Sequence, residues 1–376
     1  MKPQGQYAFD WRLPLARAAS VSRLTIGRSD TVFCERTQAL SSLNETASRI
    51  WSVLESTGSC EAAVAQLMEL GASEPQARAF VRSVAADWLK NGYFFPEHLR
   101  TGEPCGQHRY QIGPSSFELR YFGNADPATG EEVLGAFRPA REHAAARLDV
   151  IGRDEVDFLF LGGACLGMHS REETPAIIKA IATEELSAQC ETGFLMHGAL
   201  LSVGGKTIVL AGHPGAGKTT LTLALAASGF DYAGDDIIHV SPEGRVLGLP
   251  FAAATKEGAW PLLEKYVPDL MDLPVRRRAD DKLVRYVRPA NTDAVERGID
   301  FVLLLSRHPG ASPRVESIDP VEALCFLLEG SFSQRRRIET PDLKSFAAAI
   351  GGAQCGRFTY SDLDPAVAAV KSLVSA

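Results

Sequence analysis

The chain contains 376 residues, of which 45% are hydrophobic and 23% are charged, with a formal net charge of -7. This composition is typical of a soluble protein with two or three domains, and the negative charge argues against nucleic acid or an anionic membrane surface as the main partner. No apolar run is long enough to span a bilayer, and the first residues lack the apolar core of a signal peptide, so a cytoplasmic location is expected. Seven scattered cysteines, without a C-x-x-C pair, favour neither a disulfide framework nor a zinc site.

Residues 22–96 predict a small module of short elements. Thr31–Phe33 and Ala39–Leu40 indicate a hairpin, and Ser42 followed by Glu45 has the pattern of a capping box at a helix start. Apolar residues at helical spacing predict three helices. These helices are expected to begin at Ser42, near Cys60 and at Ser73. Three short helices against a hairpin are typical of a winged-helix-like unit.

This module resembles PqqD-like domains. The resemblance is carried by the run from Leu43 to Ala47 with Ile50-Trp51, and by Trp88-Leu89 with Gly92-Tyr93-Phe94. It implies that residues 22–96 recognise the leader of a ribosomally made precursor peptide, which would add a strand to the hairpin edge and pack against the last helix. The alternative is a module used only for packing or oligomerisation.

Residues 97–109 are polar, contain glycine and proline, and predict a linker. From residue 110 to residue 376, strand and helix patterns alternate, which predicts an α/β domain with a mixed sheet. The expected strands include Ala199–Val203, Lys206–Ala211 and Phe301–Leu305. The expected helices include Glu142–Arg147, Pro175–Ala188 and Pro320–Leu328.

A phosphate-binding loop is predicted between one of these strands and a helix, because the sequence there fits the pattern G-x-x-x-x-G-K-[ST]. Glycines allow backbone N–H groups to face phosphate oxygens, a lysine adds a point charge, and a threonine hydroxyl suits Mg²⁺. The pattern therefore predicts a nucleotide site. Its residues are Gly212, His213, Pro214, Gly215, Ala216, Gly217, Lys218, Thr219 and Thr220.

Two further features surround the loop. Asp235-Asp236 follows Lys218 by seventeen and eighteen residues, and His197 precedes Gly212 by fifteen. Paired carboxylates at this place can divide two tasks, since one can orient or deprotonate a hydroxyl and the other can hold Mg²⁺. The alternatives are a solvated Asp-Asp turn and a histidine that caps a strand.

The series of His197, the loop and Asp235-Asp236 resembles the catalytic domain of HPr kinase/phosphorylase and its relatives. The resemblance implies a fold related to phosphoenolpyruvate carboxykinase and transfer of the γ-phosphoryl group of ATP to a protein serine. It implies that Lys218 and Thr219 hold phosphates and Mg²⁺, that Asp235 is the base and Asp236 a Mg²⁺ partner, and that His197 contacts phosphate. The roles of the two aspartates could be reversed.

The sequence also departs from that family. The loop ends in Thr219 where the family usually has serine, but both residues offer a hydroxyl. The family's later glutamate ligand of Mg²⁺ and the block that contacts HPr cannot be placed in this sequence, so HPr itself is not the expected acceptor. Lys256 and Arg278 are candidates for acceptor-side phosphate contacts, with a plain surface charge as the alternative for each.

Together these features predict an ATP- and Mg²⁺-dependent kinase that phosphorylates a Ser or Thr hydroxyl of a peptide captured by residues 22–96. A nucleotide-gated binding protein without phosphoryl transfer and a kinase of a small hydroxylated metabolite are the alternatives. A homo-oligomer is possible. The sequence leaves open the identity of the acceptor, the choice between ATP and GTP, the oligomeric state, and a reverse phosphorylase reaction.

Overall fold

The computed structural model describes residues 9–99, 102–112, 115–140, 146–332 and 337–375. Their contacts form two compact units. The first contains the described residues of Met1–Arg109, Glu118–Pro127 and Ala145–Thr174, and the second those of Tyr110–Phe117, Ala128–Ala144 and Pro175–Ala376. The protein is mixed α/β, as predicted. The separate domains at residues 22–96 and 110–376 stay a prediction.

The N-terminal part of the first unit combines a three-stranded antiparallel sheet, in the order β2-β3-β4, with three helices. Trp51 and Trp88 lie in its core with ring centroids 4.9 Å apart. Strand β1 pairs with β5. The elements are β1 (Leu15–Arg17), β2 (Val21–Ile26), β3 (Ser29–Cys34), β4 (Ala39–Leu43), α1 (Glu45–Thr57), α2 (Cys60–Glu69), α3 (Glu74–Lys90) and β5 (Phe94–Pro96).

The predicted capping box at the first helix is wrong. Ser42 pairs with Thr31 inside the sheet, so the strand continues through it. Asn44 caps α1 instead, because its side-chain oxygen accepts a hydrogen bond of 2.8 Å from the backbone N–H of Ala47. The other two helices begin as predicted, and Ser59 caps α2 in the same way.

The middle of the chain contributes to both units. In the first unit, β9, β10 and β11 form an antiparallel meander. The helix predicted at Glu142–Arg147 is wrong where it can be described, because Ala146 and Arg147 begin β9; residues 142–145 lie outside the described ranges. The elements are β6 (Gly106–Ile112), β7 (Ser115–Gly123), α4 (Ala128–Leu134), β8 (Arg138–Pro139), β9 (Ala146–Arg153), β10 (Val156–Leu161), β11 (Ala164–Ser170) and α5 (Thr174–Gln189).

The rest of the second unit contains most of the strands that were expected. Its elements in chain order are β12 (Phe194–His197), β13 (Ala199–Val203), β14 (Lys206–Ala211), α6 (Lys218–Ala227), β15 (Asp231–Gly234), β16 (Ile237–Val240), β17 (Val246–Gly248), β18 (Ala253–Lys256), α7 (Trp260–Leu263), β19 (Arg276–Arg277), β20 (Leu283–Val287), β21 (Phe301–Arg307), β22 (Arg314–Ser317), α8 (Pro320–Glu329), β23 (Ser331–Phe332), α9 (Thr340–Gly351), β24 (Gln354–Tyr360) and α10 (Leu363–Ser375). The bounds of β13 and β14 are those predicted.

The main sheet of this unit has the strand order β15-β13-β14-β21-β24-β22. Strands β14, β21 and β24 are parallel, whereas β13, β15 and β22 pair antiparallel, so the sheet is mixed as predicted. Apolar residues of α6 and α10 belong to one core cluster with this sheet, and those of α8 and α9 to another. The carboxyl ends of the three parallel strands meet at one edge, where open α/β sheets bind ligands.

Within the described ranges, none of the helices has the length and apolar character that crossing a membrane requires.

Candidate nucleotide and phosphoryl-transfer site

The predicted phosphate loop joins the carboxyl end of β14 to the first turn of α6. Two of its glycines, Gly215 and Gly217, have φ angles of +90° and +87°, which L side chains rarely adopt. The helix starts directly after them, since the N–H of Leu221 donates to the carbonyl of Gly217 at 2.9 Å. Lys218, Thr219 and Thr220 form the first turn, so the helix N-terminus faces the loop as an anion site requires.

Two contacts hold the loop, a hydrogen bond from Tyr360 and a ring contact of His213. The hydroxyl of Tyr360, at the end of β24, donates to the carbonyl of Ala216 at 2.9 Å. A Cβ atom added to Gly217 would lie 2.5 Å from that hydroxyl oxygen, so a side chain there would collide with it. The ring of His213 meets Phe326 edge-on, with centroids 5.0 Å apart. The loop is thus held in its turn by the surrounding fold.

The hydroxyl of Thr219 donates a hydrogen bond of 2.7 Å to Oδ2 of Asp235. Asp235 is fully buried, and among the described residues its Oδ1 has no hydrogen-bond partner. Burial raises the pKa of Asp235 to about 6, and the negative charge of Asp236 acts in the same direction. A buried carboxylate oxygen without a partner is costly, which indicates that a bound group completes this site.

Asp236 forms an ion pair with Lys179. The ammonium of Lys179, on α5, lies 3.0 Å from Oδ2 of Asp236 and 3.2 Å from the carbonyl of Ala252. Burial alone would raise the pKa of Asp236, but the positive charges of Lys179 and Lys218 outweigh it and hold this pKa well below its usual range. The carboxylate is therefore ionised at neutral pH.

The backbone of Asp236 is also unusual, since its φ is +80°. Outside glycine this left-handed conformation is uncommon and costs on the order of 1 kcal/mol, and such residues cluster at functional sites. The carbonyl of Asp236 accepts a hydrogen bond of 3.2 Å from the N–H of Gly198, which helps to hold the turn.

His197 ends β12 and pairs with Ile237, the residue that follows Asp236. Desolvation lowers the pKa of its imidazole, and the nearby ammonium of Lys218 lowers it further. The positive charge of Lys218 also acts to lower the pKa of Asp235 and that of Asp236. The structure therefore brings together the four residues predicted to be catalytic, Asp235, Asp236, His197 and Lys218.

The two acceptor-side candidates lie on another sheet. Lys256 is the exposed last residue of β18, and Arg278 follows β19 and pairs with Asp280 at 3.2 Å. Neither side chain has a direct hydrogen bond to the phosphate loop among the described residues.

The donor set at Thr219 and Asp235 fits Mg²⁺, because a hydroxyl and a carboxylate are hard oxygen ligands. In the described ranges no group of three or more His, Cys, Asp or Glu side chains could hold a metal by itself. Nucleotide sites, however, hold Mg²⁺ with one or two carboxylates together with phosphate oxygens. The geometry favours Asp235 over Asp236 as the Mg²⁺ partner, which is the reverse of the first of the two assignments considered from the sequence.

The sequence patterns pointed neither to Lys179 nor to the part played by Tyr360. Lys179 is the single cation in an apolar helical run, Pro175-Ala176-Ile177-Ile178-Lys179-Ala180-Ile181-Ala182. A single lysine in such a run is a weak indication of a functional residue. It does indicate that a cation lies on a helix whose other residues are mostly buried or half-buried. Its side chain is 13% exposed.

The structure is thus a mixed α/β protein with a candidate phosphate loop at the carboxyl ends of parallel strands. No family model matches this chain, and no curated protein matches it. Among solved structures, the HPr(Ser) kinase/phosphatase from Coxiella burnetii is similar at 13% identity and a TM-score of 0.24, over 48% of this chain and 93% of that chain.

Proposed function

We propose that this protein is an ATP-dependent phosphotransferase that phosphorylates a serine or threonine hydroxyl of a peptide or protein. The observation that carries the proposal is the separation of two adjacent carboxylates. Asp235 bonds to Thr219 of the phosphate loop, whereas Asp236 turns to Lys179. Phosphoryl transfer to a hydroxyl can use two such carboxylates, one to hold Mg²⁺ and one to orient the attacking hydroxyl.

Each residue of the site has its own role in the proposed reaction. The loop N–H groups and Lys218 bind the phosphates, and Thr219 with Asp235 would hold Mg²⁺, which supplies positive charge to the phosphate oxygens when bound. Asp236, which is ionised, accepts the hydrogen bond of the acceptor hydroxyl and orients it, and takes its proton late, when bonding to phosphorus has made that proton acidic. The hydroxyl oxygen bonds to the γ-phosphorus while the bond to the bridging oxygen breaks, and ADP leaves. His197 lies beside these groups as a phosphate-side contact.

The proposed acceptor is a leader-bearing precursor peptide bound by the sheet of β2, β3 and β4. Among the described strands, β4 pairs with β3 alone, so its other edge is open to an added strand. Leu40 on that strand is 56% exposed and offers an apolar contact. A bound leader would raise the local concentration of the acceptor hydroxyl near the phosphate loop.

The test is incubation of the full chain with ATP, Mg²⁺ and a candidate precursor peptide, followed by mass spectrometry for added phosphoryl groups. Lys218→Ala should abolish transfer while circular dichroism shows an unchanged fold, because it removes the charge that binds the phosphates. Transfer that survives this substitution unchanged would falsify the assignment. ATP binding by the wild type without any transfer would instead support a nucleotide-gated binding protein.

A leader-free peptide and a pair of matched variants test the acceptor. Leu40→Glu on β4 should remove the preference for the leader-bearing peptide, whereas Leu24→Glu on β2, where Leu24 is 44% exposed, should keep it. Equal phosphorylation of leader-bearing and leader-free peptides by the wild type would make the N-terminal module a packing or oligomerisation unit. Transfer to a small metabolite alone would make the protein a metabolite kinase.

A further inference from the structure

The small sheet of β18, β20 and β19 carries a group of cations on one face. Lys256 and Arg276 both pair with Val284, one from each side. The N–H of Arg278 donates to the carbonyl of Lys282 at 3.0 Å and extends the ladder. Directly opposed residues, and residues two apart on one strand, project from the same face of a sheet. We call the face that carries Lys256, Arg276, Arg278 and Lys282 the cationic face.

The opposite face of this sheet is occupied by core packing. Ala253 and Val287, which alternate with the residues of the cationic face, belong to a buried cluster with Leu223 and Trp260. The cationic face therefore points away from that cluster. Val284 at its centre is also fully buried, so the face reaches solvent at its margins, through Lys256, Arg278 and Lys282.

The sheet of the cationic face begins close to Asp236, because the ammonium of Lys179 bonds to Oδ2 of Asp236 at 3.0 Å and to the carbonyl of Ala252, the residue before β18, at 3.2 Å. Tyr286, two residues beyond Val284, projects from this face and is only 4% exposed. Burial raises the pKa of Tyr286, and the charges of both Arg278 and Asp236 act on the same hydroxyl. Lys179 thus connects the start of β18 to the carboxylate that is proposed to orient the acceptor.

The positive charge of this face is not fully compensated. Arg276 forms a bidentate pair with Glu132, and Asp280 is shared by Arg278 at 3.2 Å and Lys282 at 2.7 Å. Within the described part of the chain, Lys256 has no carboxylate partner. Two carboxylates thus pair with three of the four cations, which leaves Lys256 as a cation without an ion pair in the described ranges of a chain whose net charge is -7.

We propose that the cationic face binds an acidic segment of the phosphoryl acceptor, with Asp or Glu residues flanking the Ser or Thr hydroxyl. This inference rests on the proposed phosphotransferase function and names its acceptor class. Complementary charge fixes the register of a bound chain and speeds its encounter with the enzyme. The cations of this face would offset the repulsion between an acidic flank and the net negative charge of the chain, and would hold the hydroxyl on the side of Asp236.

Binding of short labelled peptides to the full-length protein tests this directly, without ATP. One fluorescein-labelled peptide carries a serine between two pairs of glutamates, and the other carries glutamines in their place. We expect the glutamate peptide to bind about tenfold more tightly in fluorescence anisotropy, because several exposed ion pairs together contribute that much. Added salt should weaken this preference.

Charge reversal locates the effect. The double variant Lys256→Glu with Arg278→Glu should lose the preference for the glutamate peptide, whereas Lys371→Glu on the exposed side of α10 should keep it. Equal binding of the two peptides, no detectable binding of the glutamate peptide, or a preference that survives the double variant would each overturn the inference. Phosphorylation of both peptides at equal rates, in a second assay with ATP, would leave the phosphotransferase standing and remove only the acidic preference.

Discussion

The hydroxyl of Tyr360 donates a hydrogen bond of 2.9 Å to the carbonyl of Ala216, so the end of β24 holds the phosphate loop. Burial raises the pKa of Tyr360 to about 12, which keeps the hydroxyl a neutral donor in the physiological range. The residue connects the main sheet to the loop although it lies 144 residues away in the chain.

Removing this hydroxyl should weaken nucleotide binding without unfolding the protein. For Tyr360→Phe we expect about fivefold lower affinity for ADP with Mg²⁺, because the loop loses one hydrogen bond worth about 1 kcal/mol. Isothermal titration calorimetry measures this change. Tyr266→Phe is the matched control, since the Tyr266 hydroxyl bonds to Asp364 rather than to the loop. An equal loss of affinity in both variants would contradict a specific role for Tyr360.

The two aspartates should respond differently to the same substitution. Asp235→Asn should weaken binding of the nucleotide with Mg²⁺, because it removes the charge beside the Thr219 hydroxyl. Asp236→Asn should keep nucleotide affinity and lower kcat by about a hundredfold or more, as expected when the group that orients the acceptor is lost. Calorimetry and a phosphoryl-transfer assay on both variants separate the two effects. The opposite pattern would exchange the two roles.

Lys179 should act through Asp236. Lys179→Met leaves the Asp236 carboxylate without its ammonium partner, and we expect about 2 kcal/mol lower stability together with a loss of kcat. Lys179→Arg, which keeps the charge, should recover part of the activity. Chemical denaturation measures the change in stability, and steady-state kinetics measure the change in kcat.

Lys206→Met is the control for that experiment, because Lys206 pairs with Asp300 at 3.5 Å on an exposed surface. Its loss should cost less than about 1 kcal/mol and leave kcat unchanged. A kcat for Lys179→Met equal to that of the wild type would show that the ion pair serves only stability.

His169, on β11, should make stability depend on pH. Burial lowers its pKa from 6.5 to about 4 in the folded protein, so between these values the unfolded chain binds more protons than the folded one. Above pH 6.5 His169 is neutral in both states and does not lower the free energy of unfolding. As the pH falls from 6.5 toward about 4, the free energy of unfolding decreases, because protonation favours the unfolded chain. The loss amounts to about 3 kcal/mol at most.

Denaturant unfolding at several pH values in this window measures the effect. His169→Asn should flatten the dependence, whereas His98→Asn, at an exposed histidine, should not. Asn is a suitable replacement at His98 because it tolerates the φ of +57° found there. A slope in His169→Asn equal to that of the wild type would remove His169 as its source.

The elements with the strongest local patterns were predicted best. The hydrophobic runs of β13 and β14 and the loop pattern between strand and helix predict these elements where the structure has them, because each depends on residues adjacent in the chain. The start of α1 failed for a local reason as well. Ser42 and Asn44 are both good caps, and only pairing of Ser42 with Thr31 across the sheet decides between them.

The arrangement of the site depends on contacts that no local pattern contains. Lys179 meets Asp236 across 57 residues, and Tyr360 reaches the loop across 144. The sequence shows two adjacent aspartates with equal chemistry. Their separation follows from the backbone turn at Asp236, which directs one carboxylate toward Thr219 and the other toward α5.

That turn limits which residues can occupy the position. At a φ of +80° glycine fits without strain, and asparagine and aspartate adopt this conformation more readily than glutamate, which has the same charge as aspartate. Asp236→Glu should therefore disturb the local fold more than Asp236→Asn, although it is the smaller change in charge. The backbone conformation at Asp236 therefore limits which substitutions the site tolerates. Asparagine, which removes the charge, fits this conformation better than glutamate, which keeps the charge on a longer side chain.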